Sequence, residues 1–420
     1  MAALRVLVAP SGFKESLSAE QVAAAIAEGI RRAAPDSEVT EIPLVDGGEG
    51  FSETLVAVTG GDIHRLQVTG PVGEQVDSHF GTLGDKNITS DDEGNRRNDK
   101  KDGSDGPAND ASKARTAVLE MAAAAGLRLV PKEMRNPLQT TTYGVGELIK
   151  AALDSGAKKL LIGCGDSGTN DGGAGAGAAL GVKLLKIDGT HIGRGAAALL
   201  ELDRIDLSER DASLEGVEID VALNIHNILC GERGVARVFG PQKGASPETV
   251  EKMEEALERY AEIIKRDTGV DVRLMPGGGA SGGLGAGLHA LLGARLHQRY
   301  EIVMKYLGID EALKDADLVF TAEGGIDFQT PRGKIPAEVA SRAKKFKLPV
   351  IAIAGTIGKE AEINYEHGID AIFSILKKPC TLDEAIADAG AMLTECAENV
   401  MRALMLGRAL ATNKGAGDAN

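Results

Sequence analysis

The sequence predicts an α/β protein with two domains, one of which is built from both ends of the chain. Short apolar segments such as 4–9 and 317–321 alternate with segments of helical periodicity, which is the pattern of a parallel sheet. The length of 420 residues exceeds what a single hydrophobic core usually supports. Across 60–84 the pattern changes to alternating segments broken by turns, which predicts antiparallel strands and a domain boundary near Gly61.

The N-terminal elements carry clear boundary signals. A strand over 4–9 leads into a helix for which Ser18 is the N-cap, and Gln21, three residues later, completes a capping box. Apolar residues then recur at helical spacing, and Pro35 lies beyond the end of the helix. A second strand is predicted over 39–44.

The middle of the chain continues the alternation of strands and helices. Apolar segments predict strands over 117–120, 160–162 and 219–225, and short helices over 121–126, 145–152 and 174–180. A long amphipathic helix begins at Pro247, with Ser246 as its N-cap, and continues to about residue 266.

Segment 85–115 differs in kind from the rest of the chain. It consists of Asp, Asn, Lys, Arg, Gly and Ser with almost no apolar residue, and its positive and negative charges nearly balance. Such a segment cannot bury enough surface to offset the entropy of ordering it. We therefore expect a disordered surface insert there.

The C-terminal part returns to α/β alternation. Strands are predicted over 317–321, 350–354 and 371–375, followed by a last helix from about residue 382. Together with the N-terminal elements they predict one discontinuous domain, 1–60 with 290–420, which leaves 61–289 as an inserted domain.

Composition excludes several classes of function. A formal charge of −15, no Trp and 3% aromatic residues argue against a nucleic-acid surface. The four cysteines show no metal-binding spacing, which favours reduced thiols in a cytoplasmic protein. No apolar run approaches the length of a membrane span, and the N-terminus lacks a signal-peptide pattern.

Segment 163–177 is glycine-rich and directly follows a predicted strand. Its seven glycines let the backbone approach another group closely. Oxygen-bearing side chains among them suit Mg²⁺ or phosphate: Asp166, Ser167, Thr169, Asn170 and Asp171. On this segment alone, a cluster of turn-forming residues is an equally good interpretation.

Polar turns also follow other predicted strands. Lys14 follows the first strand, Asp46 and Glu49 follow the second, and a turn from Asp327 to Lys334 follows the strand at 317–321. In α/β sheets, ligands bind at the carboxyl ends of strands, so these turns are candidate sites. As alternatives, Lys14 is simply solvated, and the two aspartates cap helices.

Two further features support narrower predictions. The loop 276–287 contains G-x-G-x-x-G, which also occurs in dinucleotide-binding proteins. Here no clear strand precedes the glycines, and no acidic residue follows at the position that would bind the ribose. A dinucleotide-binding fingerprint is therefore excluded. The chain has no Walker-type P-loop. Lys243 and Arg233 are expected to be solvated rather than catalytic, and His226 is given no metal role.

Seven motifs occur in the order found in one family of kinases. They are S-G-F-K-E-S-L-S-A from Ser11, D-G-G-E-G from Asp46, T-T-T-Y-G-V-G-E from Thr140, segment 163–177, F-G-P-Q-K-G-A from Phe239, P-G-G-G-A-S-G-G-L-G from Pro276, and D-x-Q-T-x-x-G-K from Asp327. On these motifs the chain resembles the two-domain, glycine-rich glycerate kinases over nearly its whole length, outside 85–115.

This resemblance implies an enzyme that phosphorylates D-glycerate with ATP and Mg²⁺, at the 2-hydroxyl. It also implies a flavodoxin-like domain split by an inserted α/β domain, with the active site in the cleft between them. The expected partners are ATP and D-glycerate, with no nucleic acid and no membrane, and a homodimer is left open.

The resemblance also suggests roles for individual residues. The predicted catalytic residues are Lys14, Asp46, Asp171, Asp327 and Lys334, of which the three aspartates are also the Mg²⁺ candidates. The predicted substrate-binding residues are Glu49, Thr169, Asn170 and Glu323. The predicted phosphate-binding loop comprises Gly277, Gly278, Gly279, Ser281, Gly282 and Gly283.

Three motifs depart from the family pattern. Asn224 and His226 stand where C-D-V-D-N-P has aspartates, Gly325 replaces the arginine of G-E-G-R-x-D, and Asp166 with Gly168 interrupts G-G-S-A-T-N-D-G-G. These changes remove two negative charges and a bidentate anion ligand. A catalytically weakened or binding-only relative, and a kinase of another small hydroxy acid, are therefore alternatives.

Overall fold

The computed structural model describes residues 3–13, 15–45, 47–84 and 115–415. Lys14, Asp46 and all of the predicted insert except Arg115 lie outside these residues. The strands are β1 (Arg5–Val8), β2 (Glu38–Glu41), β3 (Asp62–Thr69), β4 (Gln75–Thr82), β5 (Thr116–Glu120), β6 (Lys159–Gly163), β7 (Lys183–Leu185), β8 (Arg204–Asp206), β9 (Glu218–Leu223), β10 (Arg295–Gln298), β11 (Leu318–Ile326), β12 (Val350–Ile357) and β13 (Ala371–Ser374).

The α-helices alternate with these strands through most of the chain. They are α1 (Ala19–Ala33), α2 (Phe51–Thr59), α3 (Ala122–Ala125), α4 (Tyr143–Asp154), α5 (Ala174–Ala179), α6 (Val235–Phe239), α7 (Pro247–Thr268), α8 (Ala280–Leu292), α9 (Arg299–Tyr306), α10 (Ile309–Asp315), α11 (Ile335–Lys345), α12 (Leu382–Ala387) and α13 (Ala389–Gly415). No helix in the described part of the chain combines the length and apolar character needed to span a bilayer.

The chain divides into two compact units. The first comprises Met1–Val45 and Val303–Asn420, and the second Asp46–Ile302. The two boundaries lie at 45/46 and 302/303, whereas the sequence predicts them at 60/61 and 289/290. Helix α2 belongs to the second unit because it packs on β4 and β5, and β10 belongs there because it pairs with β9.

The first unit contains a five-stranded sheet of order β13-β12-β11-β1-β2, in which every pair of neighbours is parallel. Numbered within the unit, this is 2-1-3-4-5 from the opposite edge, which is the flavodoxin-like order. The predicted fold class is confirmed. The order reverses between β1 and β11, and in such sheets ligands bind at the carboxyl ends of the strands at this point.

Helix α1 illustrates how local signals build the first unit. The Ser18 side chain accepts a hydrogen bond from the Gln21 amide, and the Gln21 side chain accepts one from the Ser18 amide, so the predicted capping box is present. Val22, Ile26 and Ile30 are fully buried in the core beside the sheet. Burial of side chains of this size contributes about 1.5–3 kcal/mol each.

Two strands of the first unit are longer than predicted. The predictions that β11 ends at 321 and β12 at 354 are wrong, because pairing continues through Gly325 with Thr356 and Ile326 with Ile357. Ile326 is fully buried, so ladder hydrogen bonds and burial outweigh the turn tendency of the glycines. Glu323 therefore lies on a strand rather than in a turn.

The second unit contains a six-stranded sheet of order β10-β9-β6-β5-β4-β3. Strands β3 and β4 form the antiparallel pair predicted over 60–84, and β5, β6, β9 and β10 are mutually parallel. The ends of β5, β6 and β9, at Glu120, Gly163 and Leu223, therefore lie on one edge, here called the carboxyl edge of the second sheet. The loop that follows β6 contains three of the predicted site residues of this unit, Thr169, Asn170 and Asp171.

Candidate functional site

Lys243 lies inside the second unit, against the loop that follows β6. It is 2% exposed, and its Nζ atom donates hydrogen bonds to Oγ of Ser167 at 2.8 Å, the carbonyl oxygen of Thr169 at 2.7 Å and Oδ1 of Asn170 at 2.9 Å. An ammonium group has three donors, and all three are used. The prediction that Lys243 is solvated is wrong, because the loop supplies three oxygen atoms in place of water.

Burial also changes the acidity of Lys243. Loss of solvation lowers the pKa of its ammonium group to about 7, and the negative charge of Asp171 opposes this shift. The only sequence signal for this residue was its place in F-G-P-Q-K-G-A, since no local pattern indicates that a lysine turns inward.

Asp171 is a second buried charged group of the same loop. It is 1% exposed, and its carboxylate accepts hydrogen bonds from the Thr142 amide at 2.8 Å, the Thr142 hydroxyl at 2.9 Å, and the Gly173 and Gly175 amides at 3.2 Å each. These donors occupy the acceptor positions that a carboxylate offers. The carboxylate thereby joins the N-termini of α4 and α5. This geometry favours a structural role, and Mg²⁺ ligation by Asp171 stays a prediction.

Thr169 and Asn170 are also fully buried in this loop. The Thr169 hydroxyl and the Nδ2 atom of Asn170 have no hydrogen-bond partner among the described residues. Buried polar atoms of this kind are uncommon in proteins and call for an explanation. Their predicted role in substrate binding stays a prediction.

The two glycine-rich segments pack against each other. The Gly172 amide donates to the Gly282 carbonyl at 3.0 Å, and a Cβ atom on Gly282 would lie 1.9 Å from the carbonyl oxygen of Thr169. Gly282 has φ +72°, which also favours glycine. At this position glycine is therefore required for backbone-to-backbone contact.

Several amides of the predicted phosphate-binding loop donate hydrogen bonds within the protein. The amides of Gly278, Gly279 and Gly283 donate to the carbonyl oxygens of Met275, Asn227 and Gly279, at 2.9, 3.1 and 3.2 Å. Three of the six predicted residues thus have their amides engaged within the protein, while Gly277, Ser281 and Gly282 complete the loop. Phosphate binding here stays a prediction.

A cleft of about 350 Å³ opens at the carboxyl edge of the second sheet. Its lining includes Glu49, Arg128, Asp166, Ser167 and Gln242. Arg128 Nε lies 3.1 Å from Oε1 of Glu49, and the Glu49 amide donates to Oδ2 of Asp166 at 3.1 Å. Asp166 has φ +50°, a left-handed conformation that Asp adopts more readily than most other non-glycine residues. The cleft brings together donors and acceptors suited to a small polar ligand.

Glu120 fixes the turn that contains Glu49. Its buried carboxylate accepts hydrogen bonds from the Gly50 amide at 3.1 Å and the Ser52 amide at 2.9 Å, at the N-terminus of α2. The Ser52 hydroxyl also contacts Nε2 of His79 at 2.9 Å. Burial raises the pKa of the Glu120 carboxyl, and the two amides oppose that shift. No sequence motif indicated this residue.

In the first unit, a lysine lies between two carboxylates. Lys334 Nζ is 3.5 Å from Oδ1 of Asp327 and 3.8 Å from Oε2 of Glu323, and all three side chains are less than one-third exposed. Ser11, after β1, donates from its amide and its hydroxyl to the Ala322 carbonyl, at 2.8 and 3.0 Å. Glu323 therefore lies beside the point where the strand order reverses. The structure brings these three predicted residues together.

Comparison with known proteins identifies the family. A family model described as the glycerate kinase family matches residues 6–405. The chain belongs to the glycerate kinase family. The recognition from its motifs and the prediction of a kinase are confirmed.

Individual relatives agree over nearly the whole chain. A glycerate kinase of Halalkalibacterium halodurans is 44% identical over 395 residues, which are 94% of this chain and 97% of the relative. A glycerate 2-kinase of Escherichia coli is 43% identical over 404 residues, which are 96% of this chain and 99% of the relative. A solved structure from Salmonella typhimurium LT2, assigned as glycerate kinase 2, has a TM-score of 0.81 and 43% identity, and the match covers 97% of this chain and 99% of that chain.

The departures from the glycerate kinase pattern lie at defined places. Asn224 and His226 follow β9, where Oδ1 of Asn224 accepts a hydrogen bond from the His226 amide at 3.0 Å. A Cβ atom on Gly325 would meet Thr356 Oγ1 at 3.4 Å, which is ordinary contact. The backbone therefore leaves room for a Cβ atom at this position.

The first unit contains carboxylate oxygens of the type that Mg²⁺ binds. Within the described residues, no group of three or more His, Cys, Asp and Glu side chains forms a metal site. Mg²⁺ in kinases is, however, usually held by one or two carboxylates together with phosphate oxygens and water. The pair Glu323 and Asp327 supplies oxygen ligands of that kind on either side of Lys334.

Proposed function

We propose that this protein transfers the γ-phosphoryl group of ATP to the 2-hydroxyl of D-glycerate, with Mg²⁺ bound to the nucleotide. The observation that carries the proposal is the half-buried group of Lys334, Glu323 and Asp327 at the strand-order reversal of a flavodoxin-like sheet in a glycerate kinase family member. The name of the Escherichia coli relative, a glycerate 2-kinase, favours the 2-hydroxyl.

The proposed reaction depends mainly on positioning and on charge neutralisation. The 2-hydroxyl oxygen attacks the γ-phosphorus, the bond from that phosphorus to the β,γ-bridging oxygen breaks, ADP leaves, and a carboxylate accepts the hydroxyl proton. Mg²⁺ would neutralise phosphate charge when bound. Lys334 would contact phosphate oxygens, and Glu323 or Asp327 would hold the ion. The proposal includes a cytoplasmic location, and a homodimer stays a prediction.

The proposal is tested with Lys334→Ala and a matched control. We expect D-glycerate-dependent release of ADP from MgATP, and a loss of kcat/KM of about 100-fold or more in Lys334→Ala, because an anion-stabilising group is removed. Lys314→Ala, at an exposed ion pair of the same unit, should stay within about twofold of the wild type. Enolase distinguishes the products, since it accepts 2-phosphoglycerate directly.

Three outcomes would contradict the proposal. If the wild type releases ADP no faster than Lys334→Ala does, the proposed kinase activity is wrong. Release with another hydroxy acid at much higher kcat/KM would change the substrate. A product that enolase does not consume would show that the 3-hydroxyl is phosphorylated instead of the 2-hydroxyl.

A weakened enzyme is a second candidate, because Gly325 stands where family members have an arginine. Since a Cβ atom at this position meets no backbone atom within 4 Å, we expect Gly325→Arg to fold. If the wild type is fully active, this substitution changes kcat/KM by less than about threefold. An increase of about tenfold or more would favour the weakened relative, since restoring one anion ligand restores a charge-assisted contact.

A further inference from the structure

Ser167 lies between the buried Lys243 and the cleft. It is 9% exposed, it belongs to the lining of the cleft, and its Oγ atom accepts a hydrogen bond from Lys243 Nζ at 2.8 Å. In its charged form, below its pKa of about 7, the Lys243 ammonium group can only donate, so the hydroxyl proton of Ser167 is then directed to another acceptor. No acceptor for that proton appears within the described residues, which leaves it available to a ligand in the cleft.

The same ammonium group fixes the neighbouring part of the loop. Because Nζ donates, the atom of Asn170 that faces it must be the amide oxygen, and Nδ2 points elsewhere. Nδ2 and the Thr169 hydroxyl are buried without partners in the described part of the chain. These two residues do not line the cleft, so Asp166 and Ser167 are the members of this loop that face it.

The other groups that face the cleft match a small hydroxy acid. Arg128, Ser167 and the exposed amide of Gln242 can donate to a carboxylate, whereas Glu49 and Asp166 can accept from hydroxyl groups. Lys243 lies beneath Ser167, and Arg128 already neutralises Glu49 at 3.1 Å. The volume of about 350 Å³ accommodates such a ligand with its waters.

We propose that Ser167 binds the hydroxy-acid substrate in this cleft, and that Lys243 is a positioning residue that directs the Ser167 hydroxyl toward it. The inference rests on the proposed phosphorylation of glycerate and adds the residues that recognise the acceptor. Lys243 itself does not touch the substrate, because the three donors of its charged form are used inside the protein.

The test is a double-mutant cycle with Ser167→Ala and Lys243→Met, assayed below pH 7, where Lys243 is charged. We expect Ser167→Ala to raise KM for D-glycerate about tenfold, because a hydrogen bond to a charged group is lost, with KM for ATP within about twofold of the wild type. Lys243→Met should raise KM for D-glycerate similarly. The double variant should match Lys243→Met, since both changes remove one contact. Lys150→Met, at an exposed lysine 3.3 Å from Asp211, is the control.

Several results would overturn the inference. An unchanged KM for D-glycerate in Ser167→Ala removes Ser167 from the substrate site, and additive effects in the double variant remove the positioning role of Lys243. If Lys243→Met does not fold, Lys243→Gln takes its place in the cycle. If the wild type has no turnover, the proposed function fails, and calorimetric binding of D-glycerate to the wild type and to Ser167→Ala still decides the inference.

Discussion

The Nζ atom of Lys243 lies 2.9 Å from Oδ1 of Asn170, although the two residues are 73 positions apart. Both side chains are buried in the second unit. A charged lysine donates hydrogen bonds and cannot accept them. The atom of Asn170 that faces Lys243 is therefore the amide oxygen, and the NH₂ group of Asn170 is the end that stays free. The shape of the glycine-rich loop after β6 therefore depends on a residue from a distant motif.

The first prediction concerns Asp171, whose carboxylate accepts four hydrogen bonds of 2.8–3.2 Å from Thr142, Gly173 and Gly175. Asp171→Asn should lower the free energy of unfolding by about 3 kcal/mol, because an amide NH₂ group would face backbone donors. Asp166→Asn, at an exposed side chain of the same loop, should change it by less than about 0.5 kcal/mol. Urea denaturation measures both.

A different result for Asp171 would restore its sequence-based role. If Asp171→Asn unfolds at the same urea concentration as the wild type but needs much more Mg²⁺ for turnover, the residue is a metal ligand. The structural role is then wrong.

The second prediction compares two glycines with left-handed backbones. Gly282 has φ +72° and its Cβ atom would lie 1.9 Å from a carbonyl oxygen, whereas Gly189 has φ +82° and nothing within 4 Å. Gly189→Ala should cost about 1 kcal/mol from backbone conformation alone. Gly282→Ala should cost about 3 kcal/mol or more, since the loops must also separate. Equal costs in chemical denaturation would show that these loops do not pack closely.

The third prediction is a pH dependence of stability that originates at Lys243. Burial lowers the pKa of this group from 10.5 to about 7 in the folded protein. Between these values the unfolded chain binds a proton that the folded protein has released, so the free energy of unfolding rises with pH. The slope approaches about 1.4 kcal/mol per pH unit.

Lys243→Met provides the comparison for this effect. The variant lacks the titrating group, so its free energy of unfolding should rise less steeply than that of the wild type across the same window. The difference between the two denaturation series removes the contribution of other titrating groups. Parallel pH dependences would show that Lys243 keeps its ordinary pKa.

The fourth prediction concerns segment 85–114. The residues that flank it are neighbours, because Thr82 pairs with Ala117, and the Leu83 amide donates to the Thr116 carbonyl at 3.0 Å. A short glycine-containing linker can join two antiparallel strands at such a point. Replacing 85–114 by that linker should change Tm by less than about 3 °C and leave kcat/KM unchanged, because loop closure depends weakly on length.

A larger deletion serves as the control for this replacement. A linker that also removes 81–84 and 115–118 deletes the pairing of β4 with β5 and should lower Tm sharply. If replacing 85–114 alone lowers Tm to the same extent, the segment is part of the folded structure and the sequence-based prediction of a surface insert is wrong.

The sequence by itself determined the features that depend on neighbouring residues. The capping box of Ser18 and Gln21, the helix start at Ser246 and Pro247, and the antiparallel pair across 60–84 were all predictable. Their stability comes from contacts within a few positions along the chain, so local patterns suffice. The order of seven motifs also determined the family, which the family match over 6–405 confirms.

Only the tertiary structure decided the features that depend on distant partners. The extension of β11 to Ile326 required pairing with β12, and the burial of Lys243 required oxygen atoms from a loop more than 70 residues away. Likewise, the hydrogen bonds of Asp171 with Thr142 join residues that are 29 positions apart. A charged side chain is stable in the interior only where other segments replace its water, and no local pattern reports where those segments will be.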